Sequence, residues 1–405
     1  MGSCRFCTLD TREVISFGKM PIANHFVIES ETDPYKFNLA VSVCIHCSLL
    51  QLDEQPRPQK MFHSSYPFFT ESSVSMKKHF SEMVDAALAE VNLPESDLNV
   101  LEIGCNDGTL LENLVIKGIK HLGIDPSSNV VERAREKGVN AYVDFFGFET
   151  ARKIKADYGR FDLILAANVV CHIPDIQDFV RGIALLLNVD GRFIFEEPYA
   201  GDVLAKTSYD QFYDEHVFMF SCLSVSKIFA AYNLEIIDVS HQDTHGGSMR
   251  YTIARRGERI SKASIERQLL LEKKNGLDKL ETYLDFAQRC ELRKFELVSL
   301  LEKLKTQGKV IAGYAATSKS TTILNYCNIN ATLISFISDS TPEKQGTLCP
   351  GSAIPVVTPE ELRLARPDFI VLFAWNHENE IREKEKWVSD VGAKWIRFVP
   401  RVEIL

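Results

Sequence analysis

The sequence predicts an α/β fold in three units: a small cysteine-clamped one, a central one on a doubly wound parallel sheet, and a smaller α/β one. Three observations predict it. Two CxxC pairs, Cys4/Cys7 and Cys44/Cys47, frame the N-terminal stretch. Strand, glycine-bearing turn and helix follow one another from residue 99, with more apolar strands up to residue 170. The same succession returns after residue 309. At roughly 100–200 residues per domain, 405 residues hold two to four domains. The expected division is 1–65, 66–258 and 259–405.

Composition narrows the class. Hydrophobic residues make up 45% and charged residues 25%, as in ordinary globular proteins. Forty-six basic against 55 acidic side chains leave a net charge of −9, which argues against a phosphate-gripping surface and a nucleic-acid partner. No run of about 18 apolar residues is present, and MGSCRFC lacks the basic and apolar regions of a secretion signal. A cytoplasmic location with no membrane partner is expected, and a monomer is the default.

Two CxxC pairs are the pattern of a tetrahedral zinc site, because one tight turn aims both sulfurs of a pair at a single ion. Cys4, Cys7, Cys44 and Cys47 fill all four positions with sulfur, so the metal is expected to be structural. His46, inside the second pair, reads as a bystander. Phe17, Ile22, Phe26, Val27 and Phe37 between the pairs are expected to form a small hairpin core. Four unrelated buried thiols would not be spaced in pairs.

After a helical stretch over 75–91 comes NVLEIGCNDGTLLENL. Asn99–Ile103 reads as a buried strand, Gly104, Asn106 and Gly108 as the turn, and 109–114 as the start of a helix. Such a turn lets a ligand approach the backbone at a helix N-terminus. HLGIDPS is a second strand ending at Asp125, 21 residues after Gly104, the spacing at which a carboxylate reaches ribose hydroxyls. A third strand, 141–145, brings Asp144 to the same edge. FDLILAANVV is apolar enough to be a central parallel strand, and Asn168 lies near its end. Dinucleotide and S-adenosylmethionine both suit this Rossmann-like arrangement. Glu102 would repel a pyrophosphate but suits the ammonium of a methionine moiety, so the residues favour S-adenosylmethionine.

Taken with the CxxC pairs, LEIGCNDGTLL, YDQFYDEHVFMFS, HGGSMR, GYAATSKSTTILNY and SDSTPEKQGTLCPGSAIPV run in an order that resembles the sugar C-methyltransferases of deoxysugar biosynthesis, over nearly the whole chain. The resemblance implies a zinc-binding domain, an S-adenosylmethionine-binding methyltransferase domain and a C-terminal substrate domain. It also implies a nucleotide-linked 4-keto-deoxysugar (dTDP-linked in the family's pattern) as substrate, with methylation at C3.

Carbon methylation beside a ketone needs a base for the α proton, donors for the enolate oxygen and a positioned methyl group. YDQFYDEH supplies candidates. By resemblance His216 is the base, and Tyr213 and Glu215 are its partners; His172, in NVVCHIPD, is placed in the same pocket. A surface helix capped by His216 is the alternative reading of these residues alone. HSSYPFFTESS resembles the family's loop over the methionine end, with Tyr66 and Ser72 as contacts; a linker packed on the zinc unit is as good a reading. HGGSMR offers His245 and Gly246 to the substrate, since paired glycines allow close backbone approach. Arg250 suits either a nucleotide diphosphate or a surface salt bridge.

Residues 261–305 read as charged amphipathic helices interrupted at Gly276. KVIAGYAATSKSTTILNY, then strands ending at Asp339 and in FIVLFAW and KWIRFVP, give a second, smaller Rossmann-like unit. By resemblance Lys319 and Lys344 contact phosphate or sugar; both would serve equally as surface lysines. Two other functions fit parts of the sequence: an O- or N-methyltransferase acting on a small molecule, and a noncatalytic zinc-containing binding protein.

Overall fold

The computed structural model describes residues 2–29, 35–64, 66, 68–91 and 93–405. Strands β1 (Arg12–Pro21) and β2 (Lys36–Val43) form an antiparallel hairpin, and β3 (Leu50–Leu52) pairs with β2. Cys4 and Cys7 lie before β1; Cys44 and Cys47 lie in the turn after β2. Each CxxC turn is closed alike, with the amides of Thr8 and Ser48 donating to the carbonyls of Cys4 and Cys44 at 3.0 and 2.7 Å. The hairpin core is not its own. Phe17 packs against Phe212 and Tyr326 at 5.9 and 4.9 Å between ring centroids. Contrary to expectation, Val27 bridges to Leu348 and Phe26 lies under Lys344, both in the C-terminal unit. Ile22 is half-buried.

The central sheet follows from runs of apolar, β-branched residues broken by short polar turns. Its strands are β4 (Asn99–Ile103), β5 (Lys120–Asp125), β6 (Ala141–Val143), β7 (Phe161–Ala167) and β8 (Leu187–Pro198). A short β9 (Phe218–Met219) leaves this sheet to pair with β3. Then β10 (Leu234–Gln242) and β11 (Ser248–Arg255) add an antiparallel edge. The order is β10-β11-β8-β7-β4-β5-β6, so the chain reverses direction across the sheet between β4 and β7. The carboxyl ends of strands at such a switch point are where open α/β sheets bind ligands. The expected helix over 109–114 begins later, at Glu112, because Asp107 accepts from the amide and hydroxyl of Thr109 and holds a turn first.

Helices Ala263–Lys274 and Leu280–Thr306 are separated at Gly276, whose φ of +73° suits glycine. The third sheet comprises β12 (Ile311–Tyr314), β13 (Ile337–Ser338), β14 (Val356–Val357), β15 (Phe369–Leu372), β16 (Lys394–Arg397) and β17 (Glu403–Ile404). It is parallel apart from the β16–β17 pair. With β9 as the exception, the proposed division 1–65, 66–258 and 259–405 assigns one sheet to each unit. No helix among the described residues is long and apolar enough to cross a membrane.

Phe17 is 5% exposed and joins the hairpin to both other units. Phe17→Ala is expected to lower the unfolding free energy by about 3–5 kcal/mol in a urea titration followed by circular dichroism.

Candidate active site

The four N-terminal sulfurs converge within 4.8 Å of one another. Three of the separations, Cys4–Cys47, Cys7–Cys44 and Cys7–Cys47, are 3.5, 3.4 and 3.8 Å. Four sulfurs at zinc–sulfur bonds of about 2.3 Å would lie about 3.8 Å apart around a tetrahedral ion, so the donor set fits zinc. His46 is exposed and outside the cluster.

A cavity of about 350 Å³ opens over the carboxyl ends of β4, β5 and β7, a size usual for small-molecule sites. Its walls include Glu102, Gly104, Asn106, Asp125, Asp144 and Asn168 on one side. Tyr66, His172, Tyr213, Glu215, His216, His245, Lys319 and Lys344 line the rest. Asn24 and Phe62 reach the cavity from the N-terminal unit, so residues from all three units meet in one space.

On the first side, Glu102 is 3% exposed and its Oε2 has no hydrogen-bond partner. Burial, then the charges of Asp107 and Asp125, push its carboxyl well above the usual range. A Cβ on Gly104, whose φ is +71°, would meet Val169 Cγ2 at 2.1 Å. Asp125 accepts from the amides of Asn106 and Ser127 at 3.1 and 2.9 Å, and burial pushes its carboxyl up to about 6. Asn106 spends its side chain on the preceding loop, accepting from Thr70 N at 3.1 Å and donating to Phe68 O at 3.2 Å. Asp144 accepts from Phe145 N at 2.8 Å. Asn168 donates to His245 Nε2 at 3.1 Å.

On the second side, His216 Nδ1 lies 2.8 Å from Gln211 O and Nε2 lies 2.5 Å from Tyr213 Oη. A carbonyl can only accept, so Nδ1 carries the proton and Nε2 accepts from the phenol. Burial, then the neighbouring His172, hold His216 well below the usual histidine range. Burial also lowers His172 to about 4, and its Nε2 has no partner. Its ring stacks between Phe62 and His216, at centroid distances of 5.7 and 5.3 Å. Ligand atoms of Cys171, His172 and His216 also lie within 4.8 Å of one another. Both His216 nitrogens are engaged and the rings stack, so this cluster does not aim at an ion. Glu215 accepts from Asn24 and from the Tyr66 phenol at 2.7 and 3.1 Å. Lys319 donates to Asn376 Oδ1 at 3.3 Å, and Lys344 to Ala316 O at 2.8 Å.

Three expected contacts lie elsewhere. Gly108 is a packing glycine: its Cβ would sit 2.9 Å from Ala134 Cβ on the helix Ser128–Glu136, after β5. Gly246 seats the Trp375 ring, with Cη2 2.4 Å from a built Cβ. Arg250 is in a buried ion pair with Glu196 at 2.9 Å, shared with His79, and does not line the cavity. Glu196 took it because β11 pairs with β8 in the register Arg250↔Glu196. The Ser72 side chain lies outside the described residues. The residues missed in sequence are Asn24, Phe62, Asn376 and His377, which reach the cavity from distant segments. Glu197 was also missed: fully buried, it accepts from the amides of Val169 and Val170 at 2.9 and 2.6 Å and clamps the turn carrying His172.

A family model described as Methyltransferase domain matches residues 76–239, and one described as C-methyltransferase C-terminal domain matches 243–400. A zinc binding domain model matches 4–62. The C-methyltransferase NovU of Streptomyces niveus is 31% identical over 406 aligned positions, covering 99% of this chain and 96% of that protein. The chain belongs to the C-methyltransferase family. Ubiquinone biosynthesis O-methyltransferase of Azorhizobium caulinodans is 39% identical over 106 residues, 25% of this chain and 40% of that one. The solved structure of magnesium protoporphyrin IX methyltransferase from Synechocystis PCC 6803 with bound SAM is 19% identical, covers 45% of this chain and 80% of that one, and has a TM-score of 0.34.

This C-methyltransferase is S-adenosylmethionine-dependent, and its residues fit that group. The orphaned Glu102 oxygen calls for a cationic or hydrogen-bonding ligand, and Gly104 lines the cavity with Val169 packed against its Cα, where no side chain fits. Gly104→Ala is expected to weaken S-adenosylmethionine binding at least about a hundredfold by calorimetry, since Val169 must be displaced. Cys44→Ser is expected to release zinc, measured by metal analysis, and to cost at least about 4 kcal/mol of stability.

Proposed function

We propose that the enzyme methylates the carbon beside the ketone of a nucleotide-linked 4-keto-deoxysugar, at C3, through an enolate. The observation that carries this reading is the Tyr213–His216 pair, buried in a cavity that Glu102 lines on one side and Lys319 and Lys344 on the other. Burial keeps His216 neutral at pH 7, the form a base needs. Its Nε2 takes the α proton, and the C–H electron pair passes into the enolate. The Tyr213 hydroxyl turns from Nε2 to donate to the ketone oxygen, where charge develops. When bound, S-adenosylmethionine would supply the electrophilic methyl group that the enolate carbon accepts.

His172, with a free Nε2 beside His216, offers the sugar a second polar contact. His245, Lys319 and Lys344 are the proposed contacts to sugar or phosphate.

The test uses dTDP-4-keto-6-deoxyglucose in deuterium oxide, without the methyl donor. The wild type should wash deuterium into C3. His216→Ala should slow exchange by about a hundredfold or more, with S-adenosylmethionine affinity unchanged by calorimetry. Undiminished exchange in His216→Ala would remove His216 as base, and no exchange in the wild type would remove the enolate.

A further inference from the structure

The Glu215 carboxylate is 4% exposed, and both of its oxygens are engaged from outside the central sheet. Asn24 donates to Oε1 at 2.7 Å and Tyr66 to Oε2 at 3.1 Å. Asn24 lies just beyond β1, on the hairpin that the cysteines clamp. The backbone beside it is pinned on two sides. Ala23 N donates to the Asp214 carboxylate at 3.3 and 3.2 Å, and Ala23 O accepts from Thr321 Oγ1 at 2.9 Å. Asn24 is thus fixed against both the catalytic loop and the C-terminal unit.

We propose that Asn24 is a positioning residue for Glu215, supplied to the active site by the zinc-binding unit; the proposal rests on Glu215 belonging to the catalytic constellation around His216. A short N–H···O bond fixes the plane of the carboxylate and favours its anionic form. The charged and titratable groups facing Glu215 are Asp214, Tyr66, Tyr213, Cys171 and Lys344. Of these only Lys344 is a cation. Burial raises the Glu215 carboxyl, and Asn24, Tyr66 and Lys344 pull it back. Asp214 and Glu215 titrate as a pair, so loss of the Asn24 donor moves the pair upward. The hairpin that presents Asn24 is also the one that carries the metal ligands, so zinc binding and the set of Glu215 share one element.

The test uses full-length, zinc-loaded enzyme with S-adenosylmethionine and dTDP-4-keto-6-deoxyglucose. Asn24→Ala should move the acid limb of the kcat/KM profile up by about one pH unit. Zinc content and S-adenosylmethionine affinity should stay unchanged. Asn24→Asp, which preserves shape and sets a second carboxylate against Glu215, should move the limb further and covers the case in which the alanine variant folds poorly. A readout without turnover is the infrared band of protonated carboxyl that Glu215→Gln removes; it should persist to higher pH in both Asn24 variants. Limb and band unmoved in both variants, beside an impaired Glu215→Gln enzyme, would overturn the proposal alone. A fully active Glu215→Gln enzyme would overturn the reading of the site beneath it.

Discussion

The buried stretch from Tyr209 to His216 is where the three sheets are tied together, and the rest of the site depends on it. The His216 imidazole is turned by the carbonyl of Gln211, in its own loop. The C-terminal unit grips the same loop through Trp375, which donates to Asp210 at 2.7 Å, and Thr322, which donates to Phe212 O at 2.8 Å. The zinc-bearing hairpin grips it through Ala23 and Asn24. Polar groups removed from water so completely are costly unless paired. The pairing therefore fixes both the loop and the relative placement of the units that supply partners.

In the proposed mechanism the units around the central sheet complete the site. The switch point between β4 and β7 would take the methyl donor, and the loop Tyr209–His216 of the central unit would supply the base. The cations for an anionic substrate would come from the C-terminal unit, where the capping box of Thr317 and Ser320 at the start of the helix Ser318–Tyr326 sets the residues beside Lys319. Family membership also decides against the two other functions that parts of the sequence allowed, transfer to oxygen or nitrogen and a noncatalytic scaffold.

The elements that rest on local pattern were legible in the sequence. Asn99–Ile103 is a strand because Val100, Leu101 and Ile103 are apolar and the glycine turn at Gly104 ends it, and Glu102 and Gly104 sit at the cavity at its carboxyl end. The two CxxC pairs converge because each turn is closed within its own few residues. What depends on pairing between distant segments was not legible. Arg250 looked free for a phosphate until register set it opposite Glu196. Gly246 looked like a close-approach glycine, and it is one, but toward Trp375 rather than a ligand. Asn24, Asn376 and His377 carry no motif, and only the packing of one unit on another brings them to the cavity.

The proposed mechanism rests on one spatial claim: the unprotonated nitrogen of His216, released when Tyr213 turns to the ketone, faces the sugar carbon that receives the methyl group. A crystal structure with S-adenosylhomocysteine and a dTDP-linked 4-keto sugar together measures it directly. The account predicts His216 Nε2 within about 3.5 Å of C3 and the Tyr213 hydroxyl turned onto the ketone oxygen. A sugar lying across Lys319 and Lys344 with C3 remote from His216, or with the Tyr213–His216 bond intact and no group near that carbon, would contradict it.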